Sequence, residues 1–241
     1  MGVCKLQCLG SSSAGNSYLL SCGEDSLLLD LGVDFKKVLK SVSYDIRKVK
    51  GCLCSHLHKD HLEYLPNALK YQLKVYSCKS VADKYDNVNI LKIGHKYRIG
   101  SFYVQTLPVP HGDCECYAYI IDHEDMGRLL FATDLSEFPY KVKECNHIML
   151  ECNNSLDAIV DNMVEGNYNM AASNTHLDME DCFDVLHRLD NPELQNIVLL
   201  HLSDRNSDEG VIRKQLLEQF PLVKTYIADK GLTIELTKTD F

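Results

Sequence analysis

The segment from His56 to His61, His-Leu-His-Lys-Asp-His, places three imidazoles and one carboxylate within six residues. It directly follows the apolar run Gly51–Ser55, which is predicted to form a strand. Because side chains two residues apart on an extended segment point the same way, His56 and His58 can share one metal ion. A turn after them lets Asp60 and His61 face a neighbouring position. These ligands suit Zn, Fe or Mn, and the lack of thiolates argues against a closed structural zinc site.

Three more residues of the metal-binding type follow predicted strands elsewhere in the chain. They are His111 after Phe102–Leu107, Asp134 after Leu129–Thr133, and His201 after Ile197–Leu200. In α/β proteins ligands bind beyond the carboxyl ends of the strands, so these residues are expected to meet the His56–His61 segment. Alone, each could cap a helix or lie in the core, and the His56–His61 segment could be a polar surface loop. Their repeated placement at strand ends instead predicts one metal centre.

Short apolar runs between turn residues predict the remaining strands. These strands cover Val3–Leu9, Tyr18–Ser21, Ser26–Asp30, Val88–Ile93, Cys116–Asp122, Asn146–Leu150, Lys224–Ala228 and Leu232–Leu236. Helical spacing or a capping aspartate predicts the helices, which start after Asp34 and Asp178 and cover Leu156–Val164 and the neighbourhood of Asp208–Phe220. The alternation of strands and helices indicates an α/β fold, and the lack of linkers indicates one domain over residues 1–241.

The composition excludes some classes of function. The chain has 25 Lys and Arg residues against 34 Asp and Glu, a formal charge of −9, which disfavours non-specific coating of nucleic acid. No apolar run reaches the roughly 18 residues of a membrane span. Because the chain opens without a basic and then apolar leader, we expect a cytoplasmic protein with no membrane partner and with its 11 cysteines reduced. Buried structural thiols are the favoured interpretation, with Cys114 and Cys152 as minor alternative metal ligands.

Together these motifs resemble the metallo-β-lactamase superfamily. The matched features are the Gly10–Asn16 loop, the His-x-His-x-Asp-His segment, His111, the Thr-Asp pair at Asp134, and Leu-His-Leu-Ser at His201. They span nearly the whole chain. The resemblance implies an α/β fold in which a four-layered αββα sandwich contains two mixed β-sheets. The Gly10–Asn16 loop and the segment from His201 to Asp208 look most like the small bacterial exonuclease-like branch, which implies a phosphodiesterase.

The resemblance also implies a set of ligands for two divalent metal ions. One ion would be bound by His56, His58 and His111, the other by Asp60, His61 and His201, and Asp134 would bridge the two. Zinc is the expected metal, with manganese or iron as alternatives, because these metals accept overlapping ligands. Such a pair holds a bridging hydroxide, which is a nucleophile at neutral pH, and clamps a phosphodiester. Asp60 is expected to orient the nucleophile as well.

The departing alkoxide needs a proton, and His176 is the candidate donor. Because it comes just before Asp178, it could instead satisfy a helix N-terminus or contact a phosphate. Relatives in the branch often have a histidine where this chain has Asn154, and asparagine cannot shuttle a proton. The usual acid of the branch is therefore absent at this position, so neither that acid nor the usual substrate of the branch carries over to this chain on the resemblance alone. Glu151 is expected to orient a metal-binding histidine.

Two neighbouring segments are interpreted together with this site. The Gly10–Asn16 loop lacks the Gly-Lys-Ser/Thr of a P-loop, and we expect it to turn beneath the metals with Asn16 hydrogen-bonded there. Between Lys36 and Lys59 seven basic residues stand against one acidic residue. This segment is either a solvated helix face or a basic rim that steers a phosphate substrate toward the metals.

The predicted function is hydrolysis of a phosphodiester by two metal ions, with nucleic acid (DNA or RNA) as the first candidate substrate. The alternative is a small cyclic nucleotide signal, as degraded by a phage anti-defence enzyme, and the net charge favours it. A non-catalytic metal-binding or redox module is a third class, which the complete ligand set disfavours. Thioesterase or lactamase chemistry is a further alternative, because a fold does not fix the reaction. A homodimer is left open.

Overall fold

The computed structural model describes residues 2–154, 175–202 and 207–238. In chain order its strands are β1 (Cys4–Gly10), β2 (Ser17–Cys22), β3 (Asp25–Leu29), β4 (Val49–Leu53), β5 (Val75–Ser77), β6 (Val88–Ile90), β7 (Lys96–Ile99), β8 (Phe102–Val109), β9 (Cys116–His123), β10 (Gly127–Ala132), β11 (His147–Glu151), β12 (Asn196–Leu200), β13 (Lys224–Ile227) and β14 (Thr233–Leu236). Its α-helices are α1 (Phe35–Ser41), α2 (Lys59–Leu62), α3 (Leu65–Lys70), α4 (Lys79–Lys84), α5 (Met179–Leu189) and α6 (Glu209–Gln219), and a 3-10 turn covers Ile46–Lys48.

The strands form two seven-stranded sheets, in the orders β14-β1-β2-β3-β4-β5-β6 and β13-β12-β11-β10-β9-β8-β7. In the first sheet β14, β1, β2 and β3 pair antiparallel, and β3 to β6 pair parallel. In the second sheet β7 to β10 pair antiparallel, and β10 to β13 pair parallel. Both sheets are therefore mixed, as predicted.

The central strands of the second sheet are buried on both faces, and the alternation of their side chains reveals the layers. On β10 and β11, Phe131 and Met149 join the core cluster shared with the first sheet. Their neighbours Leu130 and Ile148 join a second core cluster, which includes Leu186 of α5 and other residues of α5 and α6. One face of the sheet thus packs on the other sheet and the opposite face on helices. This arrangement confirms the αββα sandwich.

Aspartates begin three of the helices by accepting a hydrogen bond from a backbone amide in the first turn. Asp34 accepts from Lys36 N, Asp178 from Asp181 N and Asp208 from Val211 N. Such caps satisfy amides that have no partner within the helix. The predicted starts of α1, α5 and α6 are therefore confirmed, whereas the helix predicted over 156–164 lies outside the described residues. Among the described helices, none is both long and apolar enough to cross a membrane.

The structure corrects the prediction that every cysteine is a reduced thiol. Cys4 and Cys22 lie opposite each other on the antiparallel strands β1 and β2 and form a disulfide. The cause is the register of this strand pair, which the sequence pattern did not reveal. The other nine cysteines are free, and eight of them are buried.

Candidate metal centre

All seven predicted metal ligands lie at one edge of the sandwich, in the connections that follow four strands. His56 and His58 follow β4, and the short helix α2 then presents Asp60 and His61. His111, Asp134 and His201 follow β8, β10 and β12. The backbone at Asp134 and His201 is in the left-handed region, with φ of 51° and 53°. Non-glycine residues adopt this conformation at a cost, and such strain is concentrated at functional sites.

Site 1 consists of His56, His58, His111 and one carboxylate oxygen of Asp134. Asp134 Oδ2 lies 3.8 Å from both His56 Nε2 and His111 Nε2. His111 Nε2 is 3.1 Å from His58 Nδ1. The four ligand atoms all lie within 4.8 Å of one another, so a single ion can contact them all.

Site 2 consists of Asp60, His61, His201 and the other oxygen of Asp134. His61 Nε2 is 3.2 Å from Asp60 Oδ2 and 3.2 Å from Asp134 Oδ1. His201 Nε2 is 3.4 Å from Asp60 Oδ2 and 4.0 Å from Asp134 Oδ1. The two oxygens of Asp134 therefore face different sites, which is the geometry of a carboxylate that bridges two ions.

The ligand histidines are held by bonds from the ring nitrogen that faces away from the metal sites. His61 Nδ1 lies 2.7 Å from Asp30 Oδ2, and His56 Nδ1 lies 2.9 Å from Ser55 Oγ. His111 Nδ1 donates to the backbone carbonyl of Thr175 at 2.9 Å. Such outer bonds fix the tautomer and the orientation of a metal-binding imidazole. Asp30, Ser55 and Thr175 did not emerge from the sequence; the signal for Asp30 was an acidic residue at the end of a predicted strand.

The donor set fits a metal ion at site 1. His56 is fully buried, and its Nε2 has no hydrogen-bond partner among the described residues. A buried nitrogen without a hydrogen-bond partner lowers the stability of the folded state unless a ligand such as a metal ion binds it. This nitrogen faces His58, His111 and Asp134, whose imidazole and carboxylate groups are ligands for zinc, manganese or iron.

Solved structures with this architecture provide the decisive comparison. YhfI from Bacillus subtilis, a metallo-β-lactamase fold protein, superposes with a TM-score of 0.75 at 19% identity, over 97% of this chain and 99% of that protein. The chain has the metallo-β-lactamase fold. Igni18, a metallo hydrolase from Ignicoccus hospitalis, has a TM-score of 0.72 at 15% identity, with 99% of each chain covered.

Sequence comparisons relate this metallo-β-lactamase fold chain to two kinds of protein. It is 22% identical to the exodeoxyribonuclease WalJ of Streptococcus pneumoniae over an alignment of 261 residues, covering 98% of this chain and 93% of WalJ. The family model of the anti-Pycsar protein Apyc1 matches residues 4–79. Both similarities fit the exonuclease-like branch of the superfamily that the motifs resemble.

The charge balance differs between the two sites of the candidate metal centre. Burial lowers the pKa of His56 and of His58, so these rings are neutral and offer a lone pair to an ion. Burial alone would raise the pKa of Asp134, but nearby histidines outweigh it and hold that pKa well below its usual range. Burial alone would lower the pKa of His201, but Asp134 and a hydrogen bond to Asp60 raise it to about 10. An ion that enters site 2 must therefore displace a proton.

His176, the predicted proton donor, lies beside both sites. Its Nδ1 contacts Glu151 Oε1, and its ring stacks on His201 with 5.3 Å between the centroids. Glu151 is fully buried, and its Oε1 is also 3.5 Å from His201 Nδ1, as expected for a residue that orients a metal-binding histidine. Asn154 is buried and pairs with the start of α5, since its carbonyl accepts from Met179 N.

The basic segment between Lys36 and Lys59 is partly neutralised by acidic residues. Four of its seven cations form ion pairs: Arg47 with Asp45, Lys48 with Glu24, Lys50 with Asp25, and Lys59 with Glu63. Three of these acids lie outside the segment, so counting charges along the chain overstated the local positive charge. The alternative ligands Cys114 and Cys152 belong to none of the clusters, within the described ranges, that could hold a metal.

Proposed function

We propose that this chain is a metal-dependent phosphodiester hydrolase with two divalent ions, one in site 1 and one in site 2. The observation that carries the proposal is the buried carboxylate of Asp134, whose Oδ2 faces site 1 and whose Oδ1 faces site 2. Thr133 Oγ1 donates to Asp134 Oδ1 at 2.8 Å, which fixes the carboxylate between the sites. A single ion would leave one of the two histidine sets without a use.

Two bound ions would supply a nucleophilic water at neutral pH and positive charge for the phosphate oxygens. The residues of the chain position these groups. Asp60 is 22% exposed at its side chain, whereas His61 beside it is fully buried. Asp60 is thus the site 2 ligand most accessible from solvent, and its carboxylate is placed to orient an attacking water.

His176 is proposed to donate the proton to the departing oxygen. Burial alone would lower its pKa, but the hydrogen bond to Glu151 outweighs it and raises that pKa above its ordinary value. This shift favours the protonated ring, which is the form that can act as an acid. Since Nδ1 is held by Glu151, the transferable proton is the one on Nε2. This arrangement replaces the histidine that relatives have at the position of Asn154.

Two substrate classes are proposed, and each has a specific observation in its favour. Nucleic acid is supported by the similarity to the exodeoxyribonuclease WalJ, which extends over 98% of this chain. A small cyclic nucleotide is supported by the match of residues 4–79 to the model of an anti-Pycsar protein. The ion pairs that neutralise the basic segment also favour the small substrate, because binding along a nucleic-acid backbone depends on available cations.

A substrate panel tests both the activity and its class. The wild-type protein loaded with zinc or manganese would be given labelled DNA, labelled RNA and a set of cyclic nucleotides. Asp134→Asn should bind fewer than two ions and lose more than about 100-fold in activity, since even outer partners of a metal site contribute 10- to 100-fold. Asp122→Asn, remote from the centre, is the matched control. Full activity and full metal content in Asp134→Asn would refute the two-ion proposal.

A further inference from the structure

Asn16, at the end of the Gly10–Asn16 loop, is fully buried beside site 2. Its backbone N–H donates to the carbonyl of Asp60 at 2.8 Å, and its own carbonyl accepts from Gly32 N at 2.9 Å. The first bond ties the loop directly to α2, the helix that presents Asp60 and His61, and the second ties it to the connection that follows β3. The predicted turn beneath the metal centre is therefore present.

Two glycines allow this close approach. A Cβ on Gly32 would lie 1.6 Å from the carbonyl oxygen of Asp60, and a Cβ on Gly15 would lie 2.4 Å from the carbonyl oxygen of Gly32. Gly15 also has a φ of 147°. A side chain at Gly32 would collide with α2, and one at Gly15 would collide with the backbone of Gly32, so either would displace the loop. The loop is thus built to insert Asn16 at a fixed place.

The side-chain amide of Asn16 lies at the spacing of a metal ligand. Its terminal atom, assigned as Nδ2, is 3.1 Å from His61 Nε2 and 3.2 Å from Asp60 Oδ2. The ligand atoms of site 2 have the same spacing, 3.2 Å between His61 and Asp60 and 3.4 Å between His201 and Asp60. Atoms bound to one ion at about 2.0–2.2 Å lie roughly this far apart.

The chemistry of the neighbours decides which end of the amide faces the site. A metal ion binds a lone pair, which the amide oxygen of Asn16 offers and the amide nitrogen does not, so an ion in site 2 would contact Asn16 through Oδ1. A half-turn of the amide exchanges Nδ2 and Oδ1, whose assignment follows from the contacts alone. Oδ1 of Asn16 has no hydrogen-bond partner in the part of the chain that is described, so the exchange gives up only the contacts of Nδ2 with Asp60 Oδ2 and His61 Nε2, which an ion bound by all three residues would replace.

We propose that Asn16 is an additional ligand of the ion in site 2, bound through Oδ1. The inference rests on the proposed two-ion function and names a ligand beyond the seven recognised from the sequence. In site 2 the amide oxygen joins Asp60, His61, His201 and Asp134 around the ion. A neutral oxygen ligand completes the coordination without adding charge to a site that already contains two carboxylates.

Metal competition with a chromophoric chelator tests the assignment without using activity. Asn16→Ala should weaken one of two zinc affinities by about tenfold or more, as expected for a residue of the coordination sphere. Asn16→Asp should restore or exceed the wild-type affinity, because a carboxylate oxygen is a stronger ligand. Asn191→Ala, a partly buried asparagine that bonds to Cys145 O at 3.1 Å, is the control and should bind as wild type.

Two results would overturn the assignment. Asn16→Ala with wild-type affinities would remove Asn16 from the site, and Asn16→Asp with a weaker affinity than Asn16→Ala would make the side chain a donor to Asp60 instead. Wild type that binds fewer than two ions would instead refute the proposed function. If Asn16→Asp does not fold, wild type with ¹³Cγ-labelled asparagine decides: zinc should shift downfield the resonance that Asn16→Ala removes, and an unshifted resonance overturns the assignment.

Discussion

Replacing Asp30 with asparagine should weaken site 2 and spare site 1. Asp30 is fully buried, and its Oδ2 lies 2.7 Å from His61 Nδ1, while its Oδ1 accepts from Ser55 N at 2.7 Å. Both oxygens are therefore acceptors, and the amide of asparagine can replace only one of them. If its NH₂ faces His61, the ring proton is driven to Nε2, where the metal should bind. If its NH₂ faces Ser55, two donors meet in the interior.

Two estimates of the magnitude agree. A hydrogen bond to a charged group is worth about 1.5–3 kcal/mol. Loss of an outer partner of a metal-binding histidine typically costs 10- to 100-fold in affinity, or about 1.4–2.7 kcal/mol. We therefore expect Asp30→Asn to weaken zinc binding at site 2 by roughly 30-fold. Site 1 should change less, because Asp30 contacts neither His58 nor His111 and reaches His56 only through Ser55 Oγ, which donates to Asp30 Oδ2 at 3.0 Å.

The assay is competition of the two zinc sites with a chelator, combined with thermal unfolding to verify that the variant is folded. Asp122→Asn is the control, since this carboxylate bonds Arg128 at 2.8 Å, away from the metal centre. Equal weakening of both sites would mean that Asp30 supports the fold rather than His61. Wild-type zinc affinity at both sites would refute the claim that the Asp30–His61 bond holds His61 in the tautomer and orientation that bind the metal.

Three further predictions can be tested alongside it. His176→Ala should lower kcat about 100- to 10,000-fold without changing metal content, and its activity should recover for a substrate whose leaving group needs no proton; an unchanged kcat would exclude His176 as the acid. Removal of metal by a chelator should lower Tm by about 5–10 °C, because ions at 100 times their Kd add about 2.7 kcal/mol; an unchanged melting curve would contradict metal binding between the sheets. Burial lowers the pKa of His147 from its ordinary 6.5 to about 4. The folded state thus favours neutral His147. The contribution of this preference to the free energy of unfolding is complete above about pH 6.5 and is lost as the pH falls toward 4. At pH 5 the loss amounts to about 2 kcal/mol. Urea unfolding at pH 7 and 5 should show this loss, His147→Gln should reduce it, and an equal loss in the variant would point to other groups.

The sequence was most informative where ligands are close along the chain. The spacing of His56 and His58 predicted that they share one metal ion, with His61 facing a neighbouring position, and Asp134 and His201 were candidates because each follows an apolar strand. These inferences depend only on local periodicity and on the rule that strand ends meet at one edge of a sheet. The two mixed sheets were predicted from the resemblance of these motifs to the metallo-β-lactamase superfamily.

Other features depend on contacts that leave no local pattern. Asp30 meets His61 from 31 residues away, and an aspartate after a strand can serve many purposes. His111 bonds the backbone carbonyl of Thr175, which any residue type could provide. The Cys4–Cys22 disulfide depends on the register of two paired strands, and the sequence does not reveal which of its 11 cysteines that register brings together. The three-residue strand β5 is too short to give a periodic signal.

The candidate metal ligands come from both halves of the sandwich, so the centre is incomplete while the chain is being synthesised. Asp60 follows a strand of the first sheet and His201 a strand of the second, 141 residues later in the chain. A ribosome that has made only the first half exposes an incomplete set of ligands. The proposed hydrolytic activity can therefore begin only after the two sheets have packed together.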